Sequence, residues 1–413
     1  MLGGVAVGET CIDGLLEGED VLATATAMRA LGADVRRDDT GIWRVVGCGV
    51  GGLHEPAQVL DMGNSGTAVR LLMGLAGGQQ MCVTFTGDAS LCRRPMDRIM
   101  TPLRQMGIEF TSRHGGRLPI TTRGPETVMP VNYTLPVASA QVKSAILLAG
   151  LNAPGRTTVI EPQPTRDHSE LMLRHFGAEV LVDDLEDGSR RITLHGQPEL
   201  MAADIVVPGD ISSAAFPMVA ALLVPGSHVK LTGVGVNPLR AGLIATLHEM
   251  GGDISVENQR GGQGDPLADL VVRASSLRGV DIPAERAPSM IDEYPVLAVA
   301  AALASGSTRM TGLAELRVKE SDRLAAMARG LTAVGVAVVE TEDSLTIHGT
   351  GTSPRGGTMI AADLDHRIAM AFLIMGMVSE QPVMIDDGSP IETSFPGFVE
   401  LMNRLGGDMG NPG

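Results

Sequence analysis

An apolar residue, two variable residues, a second apolar residue and a glycine recur six times along the chain. The copies are Met28 to Gly32, Leu103 to Gly107, Leu173 to Gly177, Leu247 to Gly251, Leu331 to Gly335 and Met402 to Gly406. Apolar residues three apart lie on one helix face, and a glycine after them takes the left-handed conformation that closes the last turn. Past five of the glycines, Val35, Phe110, Val180, Ile254 and Val338 stand where a strand places an inward side chain. The unit therefore reads as helix, glycine stop, strand. One copy would carry no weight, because amphipathic helices commonly end in glycine. Six copies, at steps between 70 residues (Gly107 to Gly177) and 84 residues (Gly251 to Gly335), form an internal repeat. That period exceeds the roughly 20–50 residues of a solenoid unit. Each repeat is thus expected to be a small α/β unit with more than one strand and helix, three to each half of the chain.

Polar residues gather where helices are expected to begin. Gly18-Glu19-Asp20 puts acids in a first turn, and Val21, Ala25 and Met28 form the inner stripe behind them. Asn64-Ser65-Gly66-Thr67 is a small-residue turn running into a helix, and Arg93-Arg94 stand before Pro95, which is expected to open one. Ser139-Ala140-Gln141-Val142-Lys143 and Thr165-Arg166-Asp167-His168-Ser169-Glu170 are two more openings. In the latter, Arg166 either faces a ligand or pairs with Glu170 across a turn. A strand, a turn and a capped helix near Val206 to Ser213 mark the crossing to the second half, and 261–265 reads as a glycine-rich loop. Asp292-Glu293 head an alanine-rich helix. Lys319, Glu320 and Arg323 share a side if the turn ahead of Leu324 is already helical, and Leu324, Met327, Leu331 and Val334 give that helix one buried face. Asp365-His366-Arg367 repeat the arrangement. Taken singly, each is a capped helix start or a salt-bridged surface turn. Taken together, helix mouths in both halves carrying Arg and Lys make an anion trap once they converge.

Composition narrows the classes. At 44% apolar and 2% aromatic, the core must be built from Ala, Val, Leu, Ile and Met, and 413 residues suit two domains. A net charge of −16 argues against a general nucleic-acid or anionic-membrane surface, and no apolar run is long enough to span a bilayer. Cys11, Cys48, Cys82 and Cys92 lack any zinc or C-x-x-C spacing and read as free thiols in a reducing cytoplasm. Met1 to Ala6 reads like the inside of an apolar helix, as though the chain starts in mid-element.

The motifs Gly-Asn-Ser-Gly-Thr (63–67), Arg-Arg-Pro (93–95), Ser-Ala-Gln-Val-Lys (139–143), Arg-Val-Lys-Glu-Ser-Asp-Arg (317–323) and Asp-His-Arg (365–367) carry a resemblance to the 3-phosphoshikimate 1-carboxyvinyltransferase (EPSP synthase) family, running from Met1 to about Phe398. The resemblance implies an α/β fold of two domains, 1–205 and 206–413. Each would hold three βαβαββ units about a pseudo-threefold axis (the enolpyruvyl transferase fold, an inside-out α/β barrel), with the active site in the cleft between them. It implies transfer of the enolpyruvyl group of phosphoenolpyruvate to the 5-hydroxyl of shikimate 3-phosphate with release of phosphate, without metal or organic cofactor, by a cytoplasmic monomer. By motif position, Ser139, Ala140, Gln141 and Arg166 are expected to hold shikimate 3-phosphate, with Asp292 and Lys319 on its ring hydroxyls. Asn64, Gly66, Arg94, Gln141, Arg323 and Arg367 are expected on phosphoenolpyruvate. Asp292 and Glu320, with Lys319 nearby, are the candidates for proton transfer, and the resemblance leaves open which is acid and which is base. A family segment, Lys-Ser…Arg, whose lysine bridges both substrates, would lie upstream of Met1, so this chain alone is expected to turn over poorly. Leu239 and Gly66 depart from the glyphosate-tolerant pattern, so sensitivity is expected. The rivals are a UDP-N-acetylglucosamine enolpyruvyltransferase, with a reactive cysteine where Asp88 stands, and a silent or split-enzyme binding subunit.

Overall fold

The computed structural model describes residues 1–261 and 264–410, so the glycine-rich stretch 261–265 lies partly outside the described residues. Its α-helices are α1 (Glu19–Ala30), α2 (Gly66–Gly77), α3 (Asp97–Gln105), α4 (Ala140–Gly150), α5 (His168–His175), α6 (Ile211–Leu223), α7 (Gly242–Glu249), α8 (Tyr294–Leu303), α9 (Arg323–Ala333), α10 (His366–Val378), α11 (Ser389–Ser394) and α12 (Phe398–Arg404). Contacts divide the chain into two units, Met1–Val207 and Pro208 onward, with the short stretch at Asp265 grouping with the first. The buried apolar side chains form two separate clusters to match. One runs from Val5 to Leu200 and the other from Ile211 to Met409.

All six repeated phrases close a helix in the same way. After α1, α3, α5, α7, α9 and α12 the glycine has φ between 91° and 107°, where a side chain would be strained. The amide after each glycine reaches back to the carbonyl of the first apolar residue. Ala33 donates to Met28 at 3.1 Å, Ile108 to Leu103 at 3.2 Å, Ala178 to Leu173 at 2.9 Å, Gly252 to Leu247 at 2.8 Å, Val336 to Leu331 at 2.9 Å and Gly407 to Met402 at 2.9 Å. This double-bonded ending satisfies carbonyls that the helix leaves open, and after α1, α3, α5, α7 and α9 it turns the chain directly into a strand.

Sheet order shows the repeat as well. Strands Leu60–Asp61, Cys82–Thr86, Glu109–Arg113 and Arg117–Arg123 form one four-stranded sheet. In it the first two strands pair in parallel, and the last strand lies antiparallel between the second and the third. The sheets built on Asn132–Thr134 and on Asp281–Ile282 follow the same order. In the first sheet the parallel strand arrives from far along the chain, Ile205–Val206 pairing with Ile12 and Asp13. That pairing corrects the expected boundary: 206 belongs to the first unit, and the crossing falls between Val207 and Pro208. The second unit is less regular than three complete βαβαββ units. One sheet has three strands, with a single parallel bridge from Gly209 to Val234 at its edge, and another is the pair Met359–Ile360 and Met384–Ile385. Among the described residues no helix is long and apolar enough to cross a membrane.

Candidate active site

In the first unit the helix mouths gather unneutralised cations. Ser65 caps α2, its hydroxyl accepting from the Ala68 amide at 3.3 Å. This puts Gly66 in the first turn and Arg70 one turn further in, buried in an otherwise apolar helix. Arg70 Nη1 donates to Gln141 Oε1 at 2.7 Å, Arg98 Nη2 approaches the same oxygen at 3.4 Å, and Gln141 Nε2 donates to Thr67 at 2.9 Å. Arg94 Nη2 donates to Asn64 Oδ1 at 2.7 Å, and Asn64 passes its own amide to Asp88 at 2.6 Å. Desolvation first, then the Arg98 and Arg94 charges, bring the Arg70 pKa down to about 10, so it remains a cation at neutral pH. No carboxylate forms an ion pair with Arg70, Arg94 or Arg98 among the described residues. A Cβ on Gly66 would lie 3.0 Å from Arg94 Nη1 and 3.2 Å from Arg70 Nη1, so the bare glycine leaves both guanidinium groups their place.

Ser139, Ala140 and Gln141 open α4 beside this cluster. Ser139 is the cap, its hydroxyl accepting from Val142 N at 3.4 Å. Arg166 lies half-buried between strand Arg156–Glu161 and α5. Its sequence alternative, a pair with Glu170, meets a competing partner, because Glu170 turns inward to Lys143 at 2.7 Å. Pro95 does not open a helix: a short 3-10 turn, Leu91–Arg93, comes first, and α3 starts at Asp97.

The second unit assembles its set around Arg323, whose guanidinium is 1% exposed. Arg323 Nε donates to Asp365 Oδ2 at 2.8 Å, Nη1 to Asp292 Oδ1 at 3.1 Å and Nη2 to Glu320 Oε2 at 2.5 Å. Lys319 Nζ lies 3.5 Å from Asp292 Oδ1 and 2.6 Å from Glu315. Arg367 Nη1 donates to the Asp292 carbonyl at 3.1 Å, and its amide donates to Asp365 Oδ1 at 2.9 Å. All five residues expected on this side, Asp292, Lys319, Glu320, Arg323 and Arg367, therefore come together, though not through a shared helical turn. The 3-10 turn Ala314–Val318 ends before Lys319, and α9 begins only at Arg323, capped by Asp322. Burial pushes the Asp365 carboxyl up, but the hydrogen bond and charge of Arg323 outweigh it and hold Asp365 below the usual carboxylate range. Next to Asp292, Glu293 is buried with its carboxyl raised by desolvation, and it accepts from Ser212, which in turn accepts from Arg240 at 2.7 Å.

Sequence reasoning missed Arg70, Arg98 and Thr67 in the first unit and Asp365 as a contact in the second. For Arg70 a signal was present, a lone arginine inside the run Ala68-Val69-Arg70-Leu71-Leu72. Asp88 is a loop staple that accepts from Leu91 N at 2.6 Å, and the nearby Cys92 thiol turns to the Gly87 carbonyl at 3.2 Å.

Comparison with known proteins decides among the enolpyruvyl transferases. Residues 1–402 match the family EPSP synthase (3-phosphoshikimate 1-carboxyvinyltransferase). The chain belongs to the EPSP synthase family. A 3-phosphoshikimate 1-carboxyvinyltransferase from Paramagnetospirillum magneticum is 64% identical over 406 residues, 98% of this chain and 91% of that one. The EPSP synthase structure from Acinetobacter baumannii superposes with a TM-score of 0.92 at 46% identity, covering 98% of this chain and 92% of its own. The enolpyruvyl transferase NikO from Streptomyces tendae, at 18% identity and a TM-score of 0.74, shares the fold.

Proposed function

We propose that this chain transfers the enolpyruvyl group of phosphoenolpyruvate to the 5-hydroxyl of shikimate 3-phosphate, releasing phosphate. The observation that carries the reading is membership of the EPSP synthase family over residues 1–402, together with the Lys319, Asp292, Arg323 and Glu320 constellation. In this reading Ser139, Ala140, Gln141 and Arg166 hold shikimate 3-phosphate. Asn64, Gly66 and Arg94 take phosphoenolpyruvate, and Arg70 and Arg98 join them because each already donates to Gln141.

Addition forms a bond from the 5-oxygen to C2 of phosphoenolpyruvate while the methylene carbon gains a proton. Elimination removes that proton and expels phosphate. In this reading Asp292, paired with Lys319 and Arg323, accepts the hydroxyl proton, and Glu320 is the partner for the methylene carbon, the two exchanging roles between the steps. Arg323, whose three donor arms already hold carboxylates, reaches phosphoenolpyruvate by trading one of them for the ligand's own carboxylate, a like-for-like exchange. Arg367 contributes its remaining donors. Four free thiols support a cytoplasmic setting and the acidic balance a small-molecule rather than nucleic-acid partner; in this reading the chain acts as a monomer, and the bare Gly66, where a side chain would crowd Arg94 and Arg70, leaves it sensitive to glyphosate.

The test is phosphate release from the two substrates together, against each alone. Release only with both is expected, and Asp292→Asn should lower kcat by about 10²–10⁴-fold, the range for a general acid–base group, while the protein stays folded by circular dichroism. Release from phosphoenolpyruvate alone, or full activity in Asp292→Asn, would remove the reading.

A further inference from the structure

Directly behind the residues assigned to shikimate 3-phosphate lies a charged cluster that the chemistry above does not use. Lys143, Glu161 and Glu170 are all essentially sealed from water, at 0%, 0% and 1% exposure. Lys143 Nζ sits 2.7 Å from Glu170 Oε1 and 3.2 Å from Glu161 Oε2. Each of the three belongs to a different segment. Lys143 is in the first turn of α4, and its amide donates to the Ser139 carbonyl at 3.1 Å. Glu161 ends strand Arg156–Glu161 and accepts from the Thr165 amide at 3.1 Å and the Thr165 hydroxyl at 2.7 Å, fixing the residue next to Arg166. Glu170 stands in the first turn of α5, four residues past Arg166, and a hydroxyl pair between Ser144 and Ser169 at 2.6 Å ties the same two helices.

We infer that Lys143 is a positioning residue for the acceptor substrate: one buried ammonium, gripping Glu161 and Glu170, sets the Ser139–Gln141 helix mouth and the Arg166 loop at a fixed spacing. This rests on the proposed assignment of those residues to shikimate 3-phosphate. A surface lysine would serve helix α4 as well, and burying a charge is costly unless it is paired. Here the pairing joins three segments through a single side chain. The cluster holds two carboxylates for one ammonium, and Glu170 Oε2 is buried without a hydrogen-bond partner. Desolvation accordingly raises the Glu170 carboxyl above its ordinary range. The shape of Glu170 and its acceptor for Lys143 therefore matter more than its full charge.

The experiment compares Lys143→Met and Glu170→Gln with the unaltered chain, using steady-state kinetics in each substrate and backbone hydrogen exchange without ligand. Lys143→Met should raise KM for shikimate 3-phosphate about tenfold or more while KM for phosphoenolpyruvate and kcat move less than about threefold, a split that general loosening of the fold would not give. Its amides at 139–143 and 165–170 should exchange faster together. Glu170→Gln, which keeps an acceptor for Lys143, should stay within about threefold on every constant. Equal rises in both KM values, or faster exchange in only one of the two segments, would overturn the inference. If Lys143→Met fails to fold, a Glu170→Gln that selectively loses shikimate 3-phosphate would overturn it, and one that keeps near-normal constants and exchange would support it. An unaltered chain that binds neither substrate would remove the proposed function, while the exchange result would still decide whether Lys143 couples the two segments.

Discussion

The two halves of the chain build their polar clusters from the same part, a helix mouth, and charge them in opposite ways. In the first unit Arg70, Arg94 and Arg98 direct their hydrogen bonds to neutral amides, those of Gln141 and Asn64, with the Asp88 carboxylate one step behind Asn64. In the second, Lys319 and Arg323 are matched by Asp292, Glu320 and Asp365, while the Arg367 guanidinium donates to the Asp292 backbone carbonyl. Cations held without counter-charge are strained by desolvation and gain when an anion arrives. Cations already neutralised hold carboxylates at set positions instead. Under the proposed function, the first unit offers the anion cations that make no ion pair, while in the second Arg323 joins only by exchanging a carboxylate and the acids stay set for proton transfer, although both units are arginine-rich at the level of sequence.

Substitutions in the two clusters should separate these roles. The largest effect on substrate binding is expected from Arg70→Met. Losing a charge-assisted contact is worth about 1.5–3 kcal/mol, so KM for phosphoenolpyruvate should rise about 10- to 100-fold with kcat changed far less. A fall in kcat at constant KM would move Arg70 out of the anion seat.

Acid should act on the second cluster instead. The folded Asp365 pKa lies below its ordinary value, so its contribution is full above the unfolded pKa of about 3.9 and is lost as pH falls through the lower folded value. Asp365→Asn should cost about 1–3 kcal/mol near neutral pH, with the gap to the unaltered protein closing as pH drops below about 4. Urea unfolding across that range measures it, and a gap that widens in acid would be inconsistent.

The smallest effect is expected at Gly66. The added Cβ of Gly66→Ala would press on the flexible ends of Arg94 and Arg70, at 3.0 and 3.2 Å. It should raise KM for phosphoenolpyruvate by about two- to fivefold, the scale of a few tenths of an ångström of misplacement. No change would mean that these guanidinium groups have room to spare.

Much of this architecture was legible in the sequence because it is local. Six glycine stops, each needing only an apolar pair and a left-handed residue, predicted six helix endings, and all six close with the same pair of bonds. The helix mouths at Gly66, Ser139, Asp292 and Asp365 were legible for the same reason. What escaped depends on distance along the chain. Strand Ile205–Val206 joins the first unit through a pairing nearly two hundred residues away. Arg323 reads as a solvent-facing ligand arm until Asp292 and Asp365 close around it. Lys143 reads only as part of a helix opening because no local pattern announces that two glutamates, 18 and 27 residues on, will bury it.

The contrast between the clusters is tested most directly by ligand-free unfolding free energies of Arg70→Met and Arg323→Met, measured side by side in urea. Removing Arg323 strands the buried Asp365 carboxylate and should cost about 3–5 kcal/mol. Removing Arg70 relieves an uncompensated buried cation and should leave stability within about 0.5 kcal/mol of the unaltered chain or above it. Equal losses, or a larger loss from Arg70→Met, would contradict the division between an anion seat and a pre-neutralised proton-transfer set.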